Sequence, residues 1–66
     1  MVLNLNGDKV VLDSNISLLE LLQQKGINPE TVVVEYNYNI VKREEWPKII
    51  LKENDNLEVI RFVGGG

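Results

Sequence analysis

The feature that most constrains this chain of 66 residues is a single helix with both of its ends written out. Ser17-Leu18-Leu19-Glu20 fits a capping box, in which the Ser hydroxyl and the Glu carboxylate each satisfy a free backbone N–H. Ile16 before the cap and Leu21 at the fourth helical position form a hydrophobic staple. Gly26 supplies the left-handed residue that ends the helix, and Ile27 can then fold back onto Leu22. These signals predict a helix over residues 17–25, with Leu18, Leu21 and Leu22 on one stripe and Leu19 widening it.

The rest of the sequence reads as strands. Val2-Leu3-Asn4-Leu5-Asn6 alternates, Lys9-Val10-Val11-Leu12-Asp13 resumes, and Asn6-Gly7 lies between, so the two runs form a hairpin. After Asn28-Pro29-Glu30, the β-branched run Thr31-Val32-Val33-Val34-Glu35-Tyr36 is a third strand. Asn37-Tyr38-Asn39 turns the chain into a short strand at Ile40-Val41. Arg43-Glu44-Glu45-Trp46 is one helical turn ended by Pro47. Ile49-Ile50-Leu51 is a short strand or an ordered crossing, and a turn over 53–56 leads into the last strand, Leu57 to Val63. Val, Ile and Leu supply 24 of the 29 hydrophobic residues and Ala none, which suits a pleated core. The element order predicts one α+β domain over 1–66, a ubiquitin-like β-grasp. In it a mixed sheet of four to five strands carries one main helix on one face.

Composition excludes several kinds of chemistry. The chain has no Cys and no His, and so lacks a thiolate nucleophile, a zinc-thiolate site and the commonest general base. A hard-metal site built only from carboxylates stays open, but no Asp/Glu loop has EF-hand spacing, and no P-loop, GxGxxG or triad spacing occurs. A net charge of −3 without a Lys/Arg stripe argues against nucleic acid. Apolar runs of at most three residues argue against a membrane span, and Met1-Val2-Leu3-Asn4 has no leader pattern. The expectation is a cytoplasmic protein with no catalytic residue, no metal and no bound cofactor.

Two features remain. Gly64, Gly65 and Gly66 add no packing and leave a carboxylate on an arm that can extend about 10 Å. Such an arm can enter a narrow active site; the bland alternative is a passive end. Along the last strand, Leu57 and Val59 alternate with Glu58, Ile60 and Phe62. If Glu58 faces solvent, Ile60 and Phe62 are exposed beside the tail as a partner surface; a bulge would reverse this parity. Trp46 reads as a core anchor and Arg43 as solvated or ion-paired. Asp8, Glu20, Glu30, Glu53 and Asp55 read as turn, cap or solvated residues, and the adjacent Glu44 and Glu45 diverge.

The ordered set of residues resembles the thiamine-biosynthesis sulfur carrier (ThiS) family over the whole chain. It comprises the first Asn-Gly turn, the Ser17–Leu22 helix, Val33-Val34-Glu35-Tyr36-Asn37, Ile40-Val41-Lys42-Arg43-Glu44-Glu45-Trp46, the Asn54-Asp55 turn and Phe62-Val63-Gly64-Gly65-Gly66. Lys42 stands where that family often has Pro, and Asn54 where it often has Gly. The resemblance implies a carrier that acts as co-substrate rather than enzyme. An E1-like adenylating enzyme (ThiF-like) would use ATP to activate the Gly66 carboxylate. A persulfide from a cysteine desulfurase pathway would convert it to a thiocarboxylate, for use by thiazole synthase (ThiG-like). Gly65 would be the other essential tail residue and Gly64 a spacer. Three alternatives stand beside it: the small subunit of molybdopterin synthase, a ubiquitin-like protein modifier, and a passive interaction module.

Overall fold

The structure, a computed structural model, describes residues 1–62. Five strands form one sheet: β1 (Val2–Leu5), β2 (Asp8–Val11), β3 (Val32–Tyr36), β4 (Asn39–Val41) and β5 (Asn56–Arg61). Their spatial order is β2-β1-β5-β3-β4, so the last strand in sequence lies at the centre. β5 runs parallel to β1 and antiparallel to β3, which makes the sheet mixed. The α-helix among the described residues, α1 (Leu18–Gln24), contributes Leu18, Leu21 and Leu22 to the core, where they join Leu3, Val34, Trp46, Leu51 and Leu57. Five strands and one main helix meet the β-grasp expectation.

The helix ends as its punctuation requires. Ser17 Oγ accepts the Glu20 N–H at 3.0 Å, and Glu20 Oε1 accepts the Ser17 N–H at 3.2 Å. At the other end Gly26 has φ +70°, and its N–H donates to the Gln23 carbonyl at 3.1 Å. The Ile27 N–H donates to the Leu22 carbonyl at 3.0 Å, completing the Schellman pattern that returns Ile27 to the helix.

Both tight hairpins use two-residue turns with positive φ. Asn6 (φ +52°) and Gly7 (φ +84°) join β1 to β2, whereas Asn37 (φ +49°) and Tyr38 (φ +72°) join β3 to β4. The pair has the sign that matches strand twist, and Tyr38 occupies a position that glycine would take without strain.

Three local expectations are adjusted. The helical turn runs Arg43–Lys48, through Pro47 rather than ending at it. Proline's fixed φ fits a 3-10 turn, and the Ile49 N–H beyond it donates to the Glu45 carbonyl at 3.2 Å. Trp46, 2% exposed, anchors this turn in the core and donates its indole N–H to the Val41 carbonyl at 3.4 Å. Residues 49–51 are a crossing rather than a sheet strand. They pair with the segment before the helix through Leu18 N–H to Ile49 carbonyl (2.8 Å) and Leu51 N–H to Ile16 carbonyl (2.9 Å). β2 ends at Val11, two residues before its expected end.

The two departures from the ThiS pattern fit their backbones. Lys42 has φ −73° and ψ 149°, the conformation a proline would impose. Asn54 has φ +68°, which Asn tolerates best after Gly.

Candidate functional site

β5 decides where the sequence-predicted site lies. Leu57 is fully buried and Glu58 exposed, so the strand parity is the one expected. Ile60 falls on the sheet face opposite the helix, 45% exposed; Phe62, 48% exposed, follows the strand, which ends at Arg61 rather than running on to Val63 as expected. Val33 pairs directly with Ile60, and the Phe62 N–H donates to the Thr31 carbonyl at 3.1 Å. The result is an apolar strip along the C-terminal half of the central strand. Val63, Gly64, Gly65 and Gly66 lie outside the described residues.

Two side chains that the sequence reading took only as turn residues hold this strand in place. Asn6 reaches past the end of β1: its Oδ1 accepts the Val59 N–H at 2.7 Å, and its Nδ2 donates to the Val59 carbonyl at 3.4 Å. A side-chain amide thus continues the β1–β5 pairing by one step, immediately before Ile60. Its role has no sequence signal beyond the Asn-Gly turn.

Asp55 is the larger omission. It is 5% exposed, and its Oδ2 accepts the Tyr36 hydroxyl and the Lys52 N–H, both at 2.8 Å. Its Oδ1 accepts Asn37 Nδ2 at 3.1 Å, while Asn37 Oδ1 accepts the Asn56 N–H at 2.8 Å. The network ties the entry of β5 to the end of β3. Burial, then the hydrogen bond to Asp55 and its negative charge, push the Tyr36 hydroxyl up to about 12. A signal was available: Tyr36 shares the inward parity of Val32 and Val34, and a Tyr hydroxyl on that face needs a partner.

The remaining charged residues have plain roles. Arg43 pairs with Glu30 at 3.2 Å, with both side chains more than half exposed, a geometry worth ~0–1 kcal/mol. Glu20 is the capping residue, and Glu53 accepts the Val2 N–H at 3.1 Å. Among the described residues no group of three His, Cys, Asp or Glu could hold a metal ion, and no helix is long and apolar enough to cross a membrane.

A mixed five-stranded sheet with its last strand at the centre, one helix across one face and an apolar strip on the other defines a ubiquitin-like β-grasp domain. The chain matches the ThiS family over residues 2–66, and it belongs to that family. It is 32% identical to the sulfur carrier protein ThiS of Bacillus subtilis, covering 98% of this chain and all of that one. It superposes with a TM-score of 0.87 on the crystal structure of the thiamine biosynthesis protein ThiS from Geobacter metallireducens, at 32% identity and with both chains wholly covered. It is also 38% identical to a thiazole synthase of Magnetococcus marinus, where it spans only 20% of the longer protein.

Proposed function

We propose that this chain is a sulfur carrier whose Gly66 carboxylate is activated by adenylation, converted to a thiocarboxylate and used to build the thiazole of thiamine. The observation that carries the proposal is the ThiS match, which runs through the terminal glycines to Gly66. The similarity to the Bacillus subtilis sulfur carrier supports the carrier role, and the thiazole synthase relative supports a ThiG-like acceptor.

The chemistry divides between the chain and its partners. The Gly66 carboxylate attacks the α-phosphate of ATP on a ThiF-like enzyme, forming an acyl adenylate and releasing pyrophosphate. A persulfide sulfur attacks the acyl carbon, AMP leaves, and a thiol then cleaves the S–S bond to free the thiocarboxylate. The chain contributes the electrophile and a docking surface at Ile60 and Phe62. The partners contribute the catalytic groups, which agrees with a chain that has no Cys and no His. A cytoplasmic location is part of this proposal, supported by the ATP that the activating step would consume.

The test is intact mass after incubation with ATP, the activating enzyme and a sulfur source, followed by C-terminal fragmentation. Sulfur for oxygen adds nearly the same mass as oxidation of Met1, so the change must be placed on Gly66. Alkylation by a thiol reagent confirms it, since no cysteine competes. An unmodified Gly66, under conditions that charge a known carrier, would reject the proposal in favour of a passive module or a protein modifier.

A further inference from the structure

The open face of the sheet carries an uncompensated charge pair beside the apolar strip. Glu35 on β3 lies directly opposite Glu58 on β5 in the antiparallel register. Directly opposed residues place their Cβ atoms about 4.5–5.5 Å apart, where like charges destabilise the sheet. Among the described residues the sole ion pair is Arg43–Glu30, so neither carboxylate makes an ion pair there. Apolar side chains flank them: Ile40, 70% exposed, opposes Glu35 from β4, and the Val33–Ile60 pair lies two residues further along.

We propose that Glu35 and Glu58 together anchor a cationic side chain, Arg or Lys, which the adenylating partner presents from within an apolar surface. The inference rests on the adenylation reading above and names the chemistry of its docking surface. Two residues of strand advance about 6.6 Å, so the carboxylates sit within one docking footprint of Ile60 and Phe62. A partner that covers those two to reach Gly66 also removes the carboxylates from water. Burying two unpaired carboxylates is prohibitive, so the covering surface must bring positive charge. A guanidinium matches the arrangement well, because its fork of N–H donors can serve two acceptors at once. Ile40 and the Val33–Ile60 pair lower the local dielectric on their sides once the interface closes and strengthen the pairing.

The pair therefore predicts opposite signs for stability and for binding. The assay is steady-state adenylation of the full chain by its ThiF-like enzyme, with thermal unfolding of each variant alongside. In Glu35→Gln/Glu58→Gln, relief of repulsion raises the unfolding midpoint by about 1–5 °C. The same variant raises KM about tenfold or more, equivalent to about 1.4 kcal/mol, with kcat at saturation unchanged. Glu58→Lys, which creates an opposite-charge pair with Glu35, is also more stable and binds more weakly still. Glu44→Gln, an exposed control that removes one charge elsewhere, leaves KM unchanged. The advantage of the native chain shrinks as salt is raised. A double variant with native KM would overturn the proposal, as would a loss confined to the thiazole synthase step. Failure of the native chain to be adenylated at all would instead overturn the functional reading beneath it.

Discussion

Replacing Asp55 by Ala removes the acceptor for three donors at once: the Tyr36 hydroxyl, the Lys52 N–H and Asn37 Nδ2. Hydrogen bonds to a charged group contribute roughly 1.5–3 kcal/mol each, and a buried donor left unpaired loses a comparable amount. Full additivity would give more than this domain has, since a chain of this length is stable by only ~3–10 kcal/mol. Two of the three donors can recover water, because Lys52 is exposed and Asn37 lies in an exposed turn. The expected loss is therefore about 3–4 kcal/mol, near one strong bond plus partial losses at the other two. Urea unfolding should show a lower midpoint with an unchanged m-value, since the same surface is exposed on unfolding. Tyr36→Phe, which deletes one bond and leaves Asp55 two donors, should cost about 1.5–2 kcal/mol. A cycle through Tyr36→Phe/Asp55→Ala should then show coupling of the order of the shared bond. A loss below about 1 kcal/mol for Asp55→Ala would refute the claim that this carboxylate holds the entry of β5.

The Tyr36 hydroxyl has its folded pKa raised to about 12, above an unfolded value near 10, so its contribution is fully present below pH 10. Stability should fall as pH rises from 10 toward 12, and in Tyr36→Phe this alkaline loss should be reduced when unfolding midpoints are compared across that range. Phe62→Asp should leave cooperative unfolding intact and weaken partner binding by more than about 1 kcal/mol, read by titration calorimetry; an unfolded variant would mean that Phe62 is structural. Gly26→Ala should cost about 1–2 kcal/mol in urea unfolding through backbone strain alone, because a Cβ there meets nothing within 4 Å while φ is +70°.

Much of the fold was legible because its signals are local. The capping box at Ser17 and the left-handed Gly26 involve residues at most a few positions apart, and so does the Asn6-Gly7 turn. Period-two alternation likewise placed Ile60 on the face away from Leu57, because one strand's parity is fixed once a single buried residue is known. Residues 49–51 were ambiguous for the opposite reason. Whether three apolar residues form a strand depends on what lies beside them, and their partners at Ile16 and Leu18 are over 30 positions away.

The sequence by itself determined the punctuation of the helix, the turns and the strand parity, all set by backbone preferences and side-chain period. Tertiary structure alone decided that the last strand occupies the centre of the sheet, between β1 and β3. That placement makes Asn6 a clamp on Val59, buries Asp55 as an acceptor for Tyr36, and sets Glu35 against Glu58. Each of these joins residues 19 or more positions apart or depends on register between strands, which no local propensity encodes. The open face of the sheet at Ile60 is likewise assembled from strands distant in sequence.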